Sequence, residues 1–191
     1  MAKRLSRPAS ALIVLLAVIL LFSLLGVNRS VAAQSRRVRR SFTEGVYLET
    51  EGYMSSSLYS HLKSITDDVT GVCAVTSGMD PLETEREALQ NAKRALTDAL
   101  QAEDIPLAAE SYSALCHAAD EMENALSSLP LSERDTESLD AYFDGIHGAQ
   151  AAVAANPYNA LVSDFETRVL DAFPTRYLRP LIFCDLPAAF E

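Results

Sequence analysis

The sequence predicts an all-α protein, in which a single N-terminal transmembrane helix precedes an antiparallel, up-and-down bundle of long helices of the four-helix type. Three observations support this fold class. The run Ala11–Val27 contains no charged residue. The 191 residues include 7 glycines and no tryptophan, a composition that is atypical of a turn-rich all-β domain. From Leu58 onward, apolar residues recur at alternating steps of four and three, which is the spacing of one helical face.

The apolar run Ala11–Val27 is the predicted transmembrane segment, and its only polar side chain is Ser23. A helix needs roughly 17 to 25 residues to cross the hydrocarbon core of a bilayer. It also satisfies its own backbone hydrogen bonds, which lipid cannot do. We therefore predict that Ala11–Val27 contacts membrane lipid as a signal anchor, between a basic tail at 1–10 and a basic juxtamembrane linker at 28–41.

Residues 1–33 also resemble a secretory signal, because the small residues Val31-Ala32-Ala33 follow the apolar run. Cleavage after Ala33 would release a secreted, soluble helical domain, whereas retention gives a single-pass anchor. The apolar run is longer than the roughly 7 to 15 residues of a cleaved signal. Arg29 also lies between the run and the cleavage site. Both points favour retention.

Basic residues flank the apolar run on both sides. Lys3, Arg4 and Arg7 favour a cytoplasmic N-terminus, and the five arginines from Arg29 to Arg40 favour a cytoplasmic C-terminal flank. A long acidic domain is translocated largely regardless of its charge. We therefore expect the bundle on the extracytoplasmic side of the cell membrane. The arginines then either rest on anionic headgroups or form a solvated spacer.

Charge is divided sharply along the chain. Residues 1–40 contain 8 basic and no acidic side chains, whereas the chain from Ser41 contains 8 basic and all 26 acidic ones, a net charge of −18. Such a body repels nucleic acid, so we exclude DNA and RNA as partners. The predicted partner is a protein with a basic or neutral surface.

Turn residues divide the predicted acidic bundle, 42–174, into helical segments. The first runs from Phe42 to Val75, with a start weakened by two glycines. Later segments begin near Asp80, Pro106 and Ser132, and Asn156-Pro157 either starts a fifth segment or kinks a long fourth one. The predicted inward-facing residues are Leu58, Leu62, Ile65, Val69 and Val72; Leu89, Ala92, Leu96 and Ala99; Ala108, Tyr112, Leu115, Ala119, Met122, Leu126 and Leu129; Leu139, Tyr142, Ile146, Ala149 and Val153; and Tyr158, Val162, Phe165, Val169 and Ala172.

The C-terminal tail, 175–191, follows Phe173-Pro174. Its apolar triplet Leu181–Phe183 is expected either to pack back on the bundle or to touch the membrane. Tyr158, Phe165 and Phe173 are spaced as on one helical face, which favours core packing for all three rings. The amide of Asn159 lies beside this seam and is expected to bond a neighbouring helix and fix its register.

No catalytic, cofactor-binding or metal-binding residues are assigned from the sequence. Asp144 and His147 have the i, i+3 spacing of bundle metal sites, but such a site needs the pair twice and further carboxylates. Cys116 and His117 are adjacent, so their side chains diverge by about 100° on a helix. The acid-rich runs 83–87 and 120–123 are typical of solvated helix faces. We expect no enzyme activity and no cofactor.

The three cysteines, Cys73, Cys116 and Cys184, lack metal-ligand spacing and do not form a dense disulfide framework. Each occupies an apolar position, where a free cysteine behaves as a small hydrophobic residue. We therefore expect all three to be buried.

The last predicted bundle segment, with Tyr158-Asn159, Val162, Phe165, Val169 and Phe173-Pro174, resembles the LemA family. Members of that bacterial family have one N-terminal membrane segment followed by long antiparallel helices. Their second Tyr-Asn pair corresponds here to Phe165-Glu166, and their Arg-rich stretch early in the bundle has no counterpart between Glu44 and Val75. The resemblance implies a divergent member with a membrane-anchored bundle at the bacterial envelope, and it supplies no catalytic residues. The function expected is a non-catalytic interaction or scaffold role, with a secreted domain or a carboxylate-histidine metal-binding bundle as alternatives.

Overall fold

The computed structural model describes residues 7–49 and 52–190. Lys3 and Arg4 of the predicted basic tail lie outside the described residues. Regular structure in the described part is almost entirely helical, and the exception is a short pair of strands, Tyr47–Leu48 and Tyr53–Met54. The predicted all-α fold class, with an apolar N-terminal helix ahead of a helical bundle, is confirmed.

The first helix, α1, runs from Arg7 to Glu44 and includes the predicted transmembrane run. Residues 28–41, predicted as a linker, are helical as well. No glycine or proline lies between Gly26 and Gly45, so nothing in this stretch interrupts the backbone hydrogen bonds of the helix. The basic flank therefore extends the helix beyond the apolar run.

A hairpin, rather than continuous helix, follows α1. Strands β1, Tyr47–Leu48, and β2, Tyr53–Met54, pair antiparallel. The prediction of one helix from Phe42 to Val75 is therefore wrong, because Phe42–Glu44 end α1 and the next helix begins only at Leu58. Gly45 has φ +87°, and a Cβ at this position would lie 2.2 Å from the carbonyl oxygen of Ser55. Only glycine tolerates both the conformation and the approach, so Gly45 ends α1 instead of merely weakening a helix.

Four antiparallel helices form the bundle: α2 (Leu58–Val75), α3 (Glu83–Gln101), α4 (Ile105–Leu126) and α5 (Glu133–Ala154). Side chains of Ser57, Asp104 and Ser132 accept hydrogen bonds from the first turns of α2, α4 and α5. A 3₁₀ turn at Asp80–Leu82 precedes α3. Helix α2 packs against α3 and α5, and α3 packs along α4.

Most of the predicted inward-facing residues of α2 to α5 are buried. The exceptions, Ala92, Leu129 and Tyr142, are half-buried and pack at the edge of the core. A period near 3.5 keeps one stripe of each helix toward its neighbours along its whole length. The 4-3 alternation in the sequence therefore identified the bundle core.

The chain after the bundle begins a new helix, α6, at Pro157–Phe165, so the fifth-segment alternative is confirmed. The Asn156 side chain accepts a hydrogen bond from the Tyr158 N–H at 3.0 Å, which marks the new start. A π-helical segment, Glu166–Leu170, follows. Its wider turn moves the buried position from the predicted Val169 to Leu170.

Phe173 corrects a second expectation, because its ring is 84% exposed rather than buried in the core. The π-helical segment ends at Leu170, so Phe173 is no longer part of the helix that carries Tyr158 and Phe165. Helical spacing therefore does not predict where its ring lies. A short helix, α7 (Thr175–Leu178), and a 3₁₀ turn, Arg179–Leu181, complete this region.

The residues divide into two compact units. One contains the chain up to Arg37 together with Asp164–Asp185, and the other contains Val38–Ser163 together with the residues from Leu186 onward. These bounds differ from the predicted domain 42–174 and tail 175–191. The physical reason is Phe190, which is 2% exposed and belongs to the bundle core.

Candidate functional site

The apolar part of α1 is the most distinctive surface on the described chain. Eleven large apolar side chains between Leu12 and Leu25 are 41% to 68% exposed. Soluble monomers rarely expose contiguous apolar patches larger than a few hundred Å². By length and composition, this helix near the N-terminus can cross a membrane. The eleven side chains are Leu12, Ile13, Val14, Leu15, Leu16, Val18, Ile19, Leu20, Leu21, Phe22 and Leu25.

The arginines that follow the apolar run differ in their surroundings. Arg39 donates a hydrogen bond of 2.9 Å to the carbonyl oxygen of Glu103, just after the end of α3. This arginine therefore satisfies a carbonyl group near a helix C-terminus. Arg40 makes an exposed ion pair of 3.9 Å with Glu44, an interaction of little stabilising value. Arg29 and Arg36 are exposed.

The sequence Val31-Ala32-Ala33, which resembles a cleavage site, lies inside α1. Val31 is 1% exposed, and so is Ser35, whose hydroxyl donates a hydrogen bond to the carbonyl oxygen of Asp185. Both residues belong to the unit that combines the start of the chain with Asp164–Asp185. Cleavage after Ala33 would remove Val31 from this packing.

One carboxylate-histidine group in the described chain has the geometry to hold a metal ion. It consists of Asp120 and Glu123 on α4 and His147 on α5, and one ligand atom from each lies within 4.8 Å of the others. The His147 Nε2 atom is 3.3 Å from a carboxylate oxygen of Glu123, and both side chains are nearly half exposed. Imidazole and carboxylate are ligands that Zn²⁺ takes in proteins.

The sequence pointed to a different partner for His147. Asp144 is exposed on the same helix, but the carboxylates near the imidazole come from α4. Spacing along one helix shows i, i+3 pairs and cannot show which residue of the neighbouring helix faces them. His117 pairs with Glu121 at 3.5 Å on the surface and makes no pair with Cys116 through its ring.

The cysteines lie in the described chain, and no disulfide joins them there. Cys73 is buried as predicted, whereas Cys116 and Cys184 are only half-buried. Burial raises the pKa of the Cys73 and Cys116 thiols. A thiol with a raised pKa has little thiolate at neutral pH, so these two side chains are poor nucleophiles.

Most side chains of the acid-rich runs are exposed, but Glu85 is half-buried and its Oε2 atom is buried without a hydrogen-bond partner among the described residues. Glu83 and Glu87 are exposed at the start of α3, and Asp120 and Glu121 are exposed on α4. Acidic residues in the first turn of α3 also interact favourably with the helix dipole. Their arrangement is that of a polar helix face.

The half-buried amide of Asn159 makes the bonds expected from the sequence, and they reach beyond a neighbouring helix. Its Nδ2 group donates to the carbonyl oxygens of Val153 at 2.9 Å and Phe190 at 3.0 Å. Its Oδ1 atom accepts from the Phe190 N–H at 3.0 Å. Asn159 therefore joins the end of α5 to the irregular segment that carries Phe190.

The Phe190 ring enters an aromatic cluster. It stacks on Phe42 with ring centroids 5.6 Å apart, and it contacts Tyr112 and Tyr158 at 5.9 and 6.4 Å. Aromatic pairs of this kind contribute about 0.5–1.5 kcal/mol beyond the area that they bury. The residues that carry the LemA resemblance, Tyr158 and Asn159, thus have packing roles here.

Comparison with protein-family models, with curated proteins and with solved structures finds no match to this chain.

Proposed function

We propose that this chain is a membrane-anchored helical-bundle protein of the bacterial envelope with a non-catalytic interaction or scaffold role. The observation that carries the proposal is the row of exposed apolar side chains between Leu12 and Leu25. Apolar residues contribute about 0.3–0.6 kcal/mol each to insertion at the centre of a membrane helix. Eleven such residues together favour insertion by roughly 3 to 7 kcal/mol.

Retention of the anchor is supported by the burial of Val31 and Ser35. A helical cleavage site with a buried side chain is a poor substrate, because its backbone is already hydrogen-bonded within the helix. N-terminal sequencing of the protein purified from its host tests this point. A mature chain that begins at Gln34 would establish the secreted alternative instead.

The bundle lies on the extracytoplasmic side in this proposal, because the N-terminal basic residues remain in the cytoplasm and the long acidic domain is exported. The test is proteolysis of intact and of permeabilised cells. Digestion of the bundle in intact spheroplasts supports the proposal. Protection until the membrane is broken would place the bundle in the cytoplasm.

The interaction role is supported by the distribution of apolar and acidic side chains in the bundle. Its apolar stripes are used in internal packing, and acidic side chains lie on its outer faces. A net charge of −18 from Ser41 onward favours a protein partner with a basic or neutral surface. The LemA resemblance supports the same assignment, since the family combines an anchor with a helical bundle.

Cross-linking through a photoreactive residue at exposed Glu87 on α3 tests the interaction role in cells. A discrete cross-linked protein whose yield falls with rising salt supports it, because exposed charges are screened. The matched control places the same residue at buried Leu89, where no partner can reach it. Equal yields at the two positions, or none at exposed positions on all four bundle helices, would contradict the proposal.

A second candidate function, metal binding, is favoured by one observation, the group of Asp120, Glu123 and His147. Titration calorimetry of the full chain in detergent with Zn²⁺ tests it. Stoichiometric binding that is lost in His147→Ala and kept in His117→Ala would support a metal site. Equal weak binding by both variants would contradict a metal site at these residues.

A further inference from the structure

We propose that the segment Phe173–Phe183 is a second membrane contact, which lies in the headgroup region at the end of the apolar span. This inference rests on the proposed anchoring of Ala11–Val27 in the bilayer. It adds a surface-seated segment, some 150 residues further along the chain, to the transmembrane helix.

The first observation is exposure. Phe173, Tyr177 and Phe183 are 84%, 74% and 83% exposed, and Leu181 is 44% exposed. Four large apolar side chains within eleven residues are therefore exposed, although Phe and Leu side chains are usually buried. Exposed Phe and Leu side chains are typical of chain that lies in a membrane interface. Tyrosine is enriched at the same depth.

The second observation is that this segment is hydrogen-bonded to α1 at the end of the apolar run. Asn28, the residue directly after the apolar run, donates a hydrogen bond of 3.0 Å to the Leu181 carbonyl oxygen. Its Oδ1 atom accepts from the Phe183 N–H at 2.9 Å. The Asn28 side chain therefore holds both backbone groups at the end of the predicted span. If Val27 lies at the edge of the hydrocarbon core, Phe183 lies beside the headgroups.

A further hydrogen bond gives the direction of the chain. The Ser35 hydroxyl binds the Asp185 carbonyl oxygen, two helical turns after Asn28. Seven residues of α-helix correspond to about 10 Å. The segment thus passes along α1 from the end of the span toward water, and its exposed aromatic side chains come before this exit.

The third observation is charge. From Ala172 to Cys184 the chain contains Arg176 and Arg179, and acidic residues flank this stretch at Asp171 and Asp185. Arg179 pairs with Asp171 at 3.8 Å, whereas Arg176 is exposed on the same segment. Each basic residue near an anionic membrane surface contributes about 1 kcal/mol to binding. The continuity with the span at Asn28 identifies lipid rather than a protein as the occupant, and Arg176 adds a modest attraction to anionic headgroups.

The absence of tryptophan from the sequence allows a direct test. The variants Phe183→Trp and Leu20→Trp each carry a single tryptophan, and Leu20 lies near the centre of the span. Each full-length variant is reconstituted into vesicles of phosphatidylethanolamine and phosphatidylglycerol. Nitroxide labels on the headgroup or deep in the acyl chain then quench the fluorescence according to depth. Tyr177→Trp is a second reporter, and circular dichroism verifies that each variant keeps its helices.

We expect the headgroup label to quench Phe183→Trp several-fold more than the deep label, and the reverse order for Leu20→Trp. If Leu20→Trp is quenched by the deep label while Phe183→Trp and Tyr177→Trp are quenched by neither, this inference is overturned and the anchor stands. The exposed rings would then face water or a protein partner. If Leu20→Trp is not quenched at all, the proposed anchor itself fails.

Discussion

At the scale of single residues, Asn159 ties the backbone of Phe190 to the end of α5. Its amide makes three hydrogen bonds, and two of them go to the backbone of Phe190. Asn159→Ala leaves buried backbone groups without partners, which costs about 1–3 kcal/mol. We expect the midpoint of chemical denaturation to fall accordingly.

The matched variant Phe190→Ala removes a buried ring and should destabilise the protein by about 3–5 kcal/mol. If the Asn159 hydrogen bonds and the Phe190 ring hold the same segment, the double variant will lose less free energy of unfolding than the sum of the two single variants. Additive losses would show that the ring packs independently of the Asn159 amide.

Asp68 provides a pH-dependent prediction. Burial raises the pKa of this carboxyl group above its ordinary value of 3.8, and Asp67 raises it further. A carboxyl group with a raised pKa in the folded state lowers stability when it is ionised, and the loss disappears as pH falls through that pKa toward 3.8. Asp68→Asn should therefore raise the melting temperature at neutral pH and have a vanishing effect in acid. A rise in melting temperature that is the same at every pH would show that ionisation of Asp68 is not its cause.

At the scale of elements, the contact between α2 and α5 depends on small residues. A Cβ on Gly71 of α2 would lie 2.3 Å from the Tyr142 ring of α5, whereas a Cβ on Gly148 of α5 meets nothing within 4 Å. Gly71→Ala should destabilise the bundle by about 1–3 kcal/mol, because the ring must move. Gly148→Ala should stabilise it by up to about 1 kcal/mol through helix propensity. Thermal unfolding of both variants measures the difference in sign.

At the scale of the whole molecule, the proposed membrane location predicts that the apolar run of α1 holds the protein on the bilayer. Arginine near the centre of a membrane helix costs about 2.5–3.5 kcal/mol. The double variant Leu16→Arg/Leu20→Arg therefore offsets the roughly 3 to 7 kcal/mol that favours insertion. We expect alkaline extraction to release this variant from membranes and to leave the wild type in the pellet.

Leu107→Arg is the control for that experiment, since it adds charge at an exposed leucine of α4 outside the run. It should remain in the pellet with the wild type. Release of the wild type, or retention of the double variant, would show that the apolar helix is not what holds the chain on the membrane.

The sequence alone determined the features that depend on neighbours along the chain. An uncharged run of apolar residues predicts a membrane-compatible helix, and the 4-3 alternation predicts the buried stripes of α2 to α5, because one helix already defines both patterns. At Asn156-Pro157 the sequence left two alternatives, a new helix or a kink in a longer one, and both follow from the residues next to the proline.

Tertiary structure decided the features that depend on residues far apart in sequence. The hairpin after Gly45 needs the approach of Ser55, and the pairing of His147 with Glu123 needs two helices. The hydrogen bonds of Phe190 with Asn159 join residues 31 positions apart. The hydrogen bonds of Asn28 to Leu181 and Phe183 cross more than 150 residues. Periodicity describes which face of a helix is apolar. Periodicity does not predict which distant segment packs against that face, because contacts between distant segments form only when the chain has folded.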